Sequence, residues 1–134
     1  LIATMLAVCP KVHCLRDATR GGVATVLNEF AQDSEVCIRL WEQQIPIREV
    51  VQGVCEILGL DPLYLANEGT LVAVVPPDQT EVVLSAMRSH PAGKHSCQIG
   101  VVSESPKNRV ILHTAFGGER VVDLLYGEQL PRIC

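Results

Sequence analysis

The chain has 134 residues, 48% hydrophobic but only 4% aromatic, with a formal net charge of -4 and a pI near 5.5. That length supports one domain with a real core, and the scarcity of aromatic residues makes the core aliphatic. An acidic chain without a Lys/Arg cluster argues against nucleic acid or anionic membrane as a partner, and no apolar run approaches the roughly eighteen residues of a membrane span.

Residues 1–9 read as the tail of a helix closed by Pro10. A short apolar piece, Val12 to Leu15, leads into Arg16-Asp17-Ala18-Thr19-Arg20-Gly21-Gly22. Val23, Val26, Leu27 and Phe30 then recur at the spacing of an amphipathic helix, and Val36, Ile38 and Leu40 alternate as a strand. Ile47, Val50, Val51, Val54, Cys55 and Leu58 form a second helical stripe, stopped by Gly59. Beyond Asp61-Pro62, Asn67-Glu68-Gly69 reads as a turn, and Leu71 to Val75 as an apolar strand ended by Pro76-Pro77. Asp78 and Glu81 have the spacing of a capping box, opening a helix that buries Val82, Val83, Ala86 and Met87. Cys97–Val102, Arg109–His113 and Arg120–Leu124 read as three strands, separated by the turns Ser105-Pro106-Lys107-Asn108 and Gly117-Gly118. This order predicts an α+β domain with helices on one face of a sheet.

Six cysteines stand at 9, 14, 37, 55, 97 and 134. With no C-x-x-C pair, no zinc spacing and Cys37 and Cys55 in apolar stretches, they read as reduced, mostly buried thiols of a cytosolic protein. The opening Leu1-Ile2-Ala3, mid-pattern and without an initiator Met, suggests a piece of a longer chain. At the other end, Pro131-Arg132-Ile133-Cys134 puts a thiol on the last residue. The prenylation signal needs cysteine fourth from the end, where Pro131 stands. A tail not docked on the body is mobile, and from Tyr126 it reaches roughly 25 Å at about 3.3 Å per residue.

Two internal pieces can carry chemistry. Asp17-Ala18-Thr19-Arg20-Gly21-Gly22 sits where a strand hands over to a helix: paired glycines admit a close backbone approach, the helix start favours an anion, and Arg20 and Thr19 add donors. Asp17 would repel a phosphate, so it would orient Arg20, accept from a substrate amide or touch a metal. An ordinary helix start after a flexible turn has the same spacing. Asn67-Glu68-Gly69 can hold a carboxylate at the rim of a cleft, where partial desolvation suits a general base, or it is an exposed turn. A terminal thiol beside its own α-carboxylate forms little thiolate until a partner activates it, and Cys134 can equally be incidental. His90, His95 and His113 are dispersed and read as surface or core residues, His13 lies nearer Asp17, and Trp41 reads as packing at a strand end.

Taken together, Arg16-Asp17-Ala18-Thr19-Arg20-Gly21-Gly22, Gly53-Val54-Cys55-Glu56-Ile57-Leu58-Gly59-Leu60, Ala66-Asn67-Glu68-Gly69 and Pro131-Arg132-Ile133-Cys134 resemble the hydrogenase expression/formation (HypE) family, within the superfamily that includes aminoimidazole ribonucleotide synthetase. The resemblance runs from about Leu15 to the end, and the tail is its most specific part. It implies a ferredoxin-like sandwich with a mostly antiparallel sheet: residues 1–126 as the superfamily's C-terminal domain, 127–134 as a flexible tail, and an N-terminal ATP-binding domain outside this chain. It further implies nickel–iron hydrogenase maturation. A carbamoyltransferase, HypF, would load a carbamoyl group on Cys134; ATP with Mg²⁺, held mainly by the other domain, would activate the amide oxygen. Glu68 would act as base, and the resulting cyano group would pass to iron on a HypC–HypD scaffold. Asp17, Thr19, Arg20, Gly21, Gly22 and Asn67 would line the phosphate side of the cleft. The full-length protein would be a homodimer and the isolated piece inactive, without a bound cofactor. Two other classes remain open: a docking or dimerisation module of the same protein, and a domain of a related small-molecule kinase or synthetase.

Overall fold

The computed structural model describes residues 1–124; residues 125–134, and with them the tail and Cys134, lie outside the described residues. The elements are α1 (Ile2–Val8), β1 (Cys14–Ala18), α2 (Gly22–Asp33), β2 (Cys37–Trp41), α3 (Glu49–Leu58), β3 (Asn67–Val74), α4 (Thr80–Arg88), β4 (Gly100–Ser103), β5 (Arg109–His113) and β6 (Glu119–Val121). The expected α+β architecture is present, with the strands divided into two ladders. In one, β1 and β3 pair antiparallel; in the other the order is β4-β2-β5-β6, antiparallel except for β2 with β5.

The main core lies between α2 and the four-stranded sheet. Ala24, Val26, Leu27 and Ala31 on one stripe of α2 meet Ile38, Leu40, Val110 and Leu112 from the two central strands, with Val122 just past β6. The helical period of that stripe is what lets α2 face the sheet along its whole length. The β1–β3 pair is covered on both sides. Val72 joins the α2 core, whereas Leu15, Leu71 and Ala73 turn to Met5 and Cys9 of the α1 region and Val83 and Met87 of α4. Alternation along β3 sends successive side chains to opposite faces, so one strand serves two cores. Cys9, Cys37 and Cys55 are buried free thiols, as the apolar surroundings suggested.

Three local expectations are corrected. Asp78 and Glu81 form no capping box: Pro77 turns the chain into a 3₁₀ segment, Pro77–Gln79, α4 starts after it without a side-chain cap, and the Asp78 carboxylate accepts from Gln79. Asn67-Glu68-Gly69 is the start of β3 rather than a turn before it, for reasons that belong to the site. The stripe on α3 is helical and stops at Gly59 in the left-handed region, but only Cys55 is buried; Val50 and Ile57 are 79% and 85% exposed. Periodicity specifies an apolar face and not what covers it. The late strands are also shorter than read: β4 begins at Gly100 and β6 ends at Val121.

Candidate functional site

The register of β1 against β3 builds the site. Cys14 through Asp17 pair regularly with Val74 through Leu71, but Ala18 pairs with Asn67, so Glu68, Gly69 and Thr70 have no partner across the ladder. The extra residues form a bulge, a device that re-aims side chains at the end of a sheet. Asn67 holds it from within, because its Oδ1 accepts from the Gly69 N–H at 2.7 Å. The signals that suggested a turn are real but act inside a strand. Directly opposed residues of an antiparallel ladder lie about 4.5–5.5 Å apart at Cα. Two motifs some fifty residues apart in the chain (Asp17-Ala18 and Asn67-Glu68) therefore meet at one end of one two-stranded sheet.

Asp17, Thr19 and Arg20 lie together at the mouth of a shallow depression of about 350 Å³, which Arg16 also lines. Their partners differ from expectation. Thr19 Oγ1 donates to Asp17 Oδ1 at 2.5 Å, so the carboxylate engages the hydroxyl and not Arg20. With its proton committed, Thr19 offers a ligand only lone pairs. Arg16 pairs with Glu29 on α2. Among the described residues Arg20 is exposed and makes no ion pair, which leaves its planar guanidinium as the cation available to an anionic group.

Gly21 and Gly22 do different jobs. Gly21 caps α2 in the left-handed region (φ 64°), with no side-chain cap, so the leading N–H groups of the helix are not satisfied by a side chain. Gly22, also left-handed (φ 67°), is buried. A Cβ there would lie 2.4 Å from Leu63 O, 2.7 Å from Tyr64 C and 2.8 Å from Leu65 O. Its close approach in this structure is to the chain's own backbone, at and just after the 3₁₀ turn Pro62–Tyr64.

Glu68 stands on the bulge, exposed, and among the described residues makes no ion pair or side-chain hydrogen bond. The partial burial expected of it is not supplied by the described residues. His13 is separated from Asp17 by the length of β1, about 13 Å at 3.3 Å per residue. The other histidines stay dispersed, with His90 accepting from Ala92 N and His113 beside Glu119. Among the described residues no three His, Cys, Asp or Glu side chains converge on one point.

Four polar residues that the sequence did not single out organise the ground behind the Gly21-Gly22 turn. Asp61 caps the 3₁₀ turn, its Oδ1 accepting from Leu63 N at 2.9 Å, while its Oδ2 pairs with Arg120 at 2.5 Å. Tyr64 Oη donates to Asp123 O at 2.9 Å. Burial first, and then the nearby Asp61 carboxylate, raise the Tyr64 phenol above its usual range despite the opposing Arg120. Asn28, 4% exposed, donates from Nδ2 to Ala24 O and to Val122 O, at 2.9 and 2.8 Å. A buried Asn inside a helical stripe of aliphatics is a signal sequence reading can use, since it needs a partner.

The sequence matches the family described as AIR synthase related protein, C-terminal domain, over residues 1–113. The chain belongs to that family. Among curated proteins, this AIR synthase-related domain is 53% identical over all its 134 residues to a carbamoyl dehydratase HypE of Azotobacter vinelandii and 54% identical to one of Cupriavidus necator. It spans only about two fifths of their length, 39% and 38% respectively. Among solved structures, it superposes on Escherichia coli HypE with a TM-score of 0.90 at 47% identity, covering 99% of this chain and 41% of that one. A HypE in complex with ATP gives 0.85 at 45% identity, and a HypE–HypF complex gives 0.87 at 41%; each covers 92% of this chain and 38% or 40% of the other.

Proposed function

We propose that this AIR synthase-related domain is the C-terminal part of an ATP-dependent carbamoyl dehydratase that acts in nickel–iron hydrogenase maturation, with the substrate carried on the sulfur of Cys134. The observation that carries the reading is the bulged β1–β3 register, which brings the Asn67-Glu68 segment to the end of β1 where Asp17 stands, close in the chain to Arg20 and the start of α2. The similarity to carbamoyl dehydratases runs through residue 134, and relatives include a HypE solved with ATP and one solved with HypF.

The chemistry follows from the poor leaving ability of an amide oxygen. A thiocarbamate on Cys134 has the form S–C(=O)–NH₂. Transfer of the terminal phosphoryl group of ATP to the carbonyl oxygen forms an O–P bond, breaks the bond to ADP and releases one N–H proton. The C–O bond then breaks, phosphate leaves with the bonding pair, and the second N–H proton ends on that phosphate as the C≡N bond forms. Carbamoyl and ATP thus give thiocyanate, ADP, phosphate and one proton. Glu68 takes a nitrogen proton; Arg20 and the uncapped start of α2 hold negative charge that develops on phosphate. Exposed in this chain, Glu68 needs a second domain to close over the edge and exclude water. That domain also holds most of the nucleotide and its Mg²⁺. HypF as carbamoyl donor, a HypC–HypD iron scaffold as acceptor, a homodimeric state and a cytoplasmic location complete the reading.

In the intact protein, Cys134→Ala should abolish thiocyanate formation, and normal hydrogenase maturation by that variant would remove the carrier role. Glu68→Gln should permit carbamoylation and slow dehydration about a hundredfold or more, within the range of general base catalysis. Thiocyanate forming at the wild-type rate would end its role as base. The exposed apolar face of α3 (Val50, Val54, Ile57 and Leu58) favours a second reading, in which this piece serves chiefly to dock another protein surface. Calorimetry of the isolated chain with Mg-ATP addresses the division of labour: negligible heat agrees with nucleotide held elsewhere, and tight binding contradicts it.

A further inference from the structure

The last described residues are held more firmly than their position requires. β6 ends at Val121, yet the chain continues pinned. Val122 is fully buried, its N–H donates to Val110 O at 2.9 Å, and its carbonyl accepts from Asn28. The next carbonyl, Asp123 O, accepts from the Tyr64 phenol, and one residue before Val121 the Arg120 guanidinium is tied to Asp61. Three separate side chains, Asn28 of α2, Tyr64 of the 3₁₀ turn 62–64 and Asp61 that caps it, thus fix residues 120–123. The exposed Arg109–Asp123 pair, at 3.8 Å, adds little.

The place where they are fixed matters. The 3₁₀ turn that carries Tyr64 is the same backbone that closes against Gly22. Asp123 therefore sits one tyrosine side chain away from the Gly21-Gly22 turn. The eleven links from Asp123 to Cys134 span at most about 40 Å, and the effective concentration of a tethered group depends on where its tether starts. A start on the far side of the domain would spend much of that length on going round.

We propose that Tyr64, Asn28 and the Asp61–Arg120 pair form a latch that sets the departure point of the C-terminal segment beside the Gly21-Gly22 turn, making them positioning residues for the reaction at Cys134. The proposal rests on the carrier reading of Cys134, and its test separates the two. Tyr64→Phe removes only the hydroxyl that holds Asp123, and Asp61→Asn keeps an acceptor for Leu63 N while removing the charge opposite Arg120. Both are made in the full-length protein and checked for a single cooperative melting transition; if either fails to fold, the other carries the test. Three rates or affinities are read: carbamoylation of Cys134 by the partner transferase, affinity for Mg-ATP, and single-turnover dehydration of the preloaded protein.

Loosening the latch should slow dehydration about fivefold, the equilibrium factor of one net hydrogen bond. Carbamoylation and nucleotide affinity should stay at wild-type values, because the transferase can take the sulfur wherever its tether begins. If wild-type protein dehydrates and both variants match it, the latch is overturned and the carrier reading survives. A proportional fall in all three readouts would mean a merely structural role and also overturns the latch. If the wild type never dehydrates its carbamoyl group, the carrier reading itself is lost, and the latch with it.

Discussion

Gly22 and Gly59 offer a comparison, because they share a positive φ and differ in what a Cβ would meet. Both are left-handed, with φ of 67° and 66°. A Cβ on Gly59 meets nothing within 4 Å, whereas one on Gly22 lies 2.4 Å from Leu63 O and under 3 Å from two further backbone atoms. An L-residue in the left-handed region costs about 1–2 kcal/mol, which both alanine variants incur. Backbone cannot rotate aside as a side chain can, so Gly22→Ala adds an overpacking cost of about 1–3 kcal/mol. Gly59→Ala should therefore lose about 1–2 kcal/mol and Gly22→Ala about 2–5 kcal/mol. Urea unfolding followed by the fluorescence of the single tryptophan, Trp41, measures both. A Gly22→Ala loss no greater than that of Gly59→Ala would refute the packing role.

Asn28→Ala should cost about 1–3 kcal/mol, since it strands the buried Val122 carbonyl, and the same unfolding assay reads it; a neutral result would mean that water replaces the amide. Tyr64 gives a pH signature. Its folded pKa is raised above the unfolded value of 10.0, so the folded state binds more protons above pH 10. The Tyr64 contribution is thus fully present below that pH and is lost as pH rises through the folded value. Tyr64→Phe should flatten this alkaline decline, and an identical decline in variant and wild type would contradict the assignment. Within the intact protein, Arg20→Ala should weaken nucleotide or phosphate retention while leaving stability within about 0.5 kcal/mol, as expected for an exposed side chain that makes no ion pair among the described residues.

The elements that sequence reading located well are those whose signal is local. Val23, Val26, Leu27 and Phe30 carry a helical period, and α2 follows it; Gly59 stops α3 because only a left-handed residue closes that helix, donating to Cys55 O. Where the signal depends on distant chain it fades. Asn67 and Gly69 are turn residues in isolation, but pairing with β1 draws them into a strand and converts the turn into a bulge. Asp78 and Glu81 are spaced for a cap that Pro77 pre-empts. The parallel β2–β5 pairing, the burial of only Cys55 on α3 and the Asn28–Val122 contact across the fold are long-range outcomes that no period reports. At the site, residue types and neighbours were legible, and the roles changed with geometry. Asp17 meets Thr19, Gly22 meets Leu63, and Glu68 stands exposed.

The most direct test is mass spectrometry of the C-terminal peptide from intact protein given carbamoyl donor, its transferase and ATP. Cys134 should first gain the mass of a carbamoyl group and then, only with ATP, lose the mass of one water. A peptide that stays unmodified, or a carbamoyl adduct that persists in ATP, would contradict dehydration on the terminal sulfur.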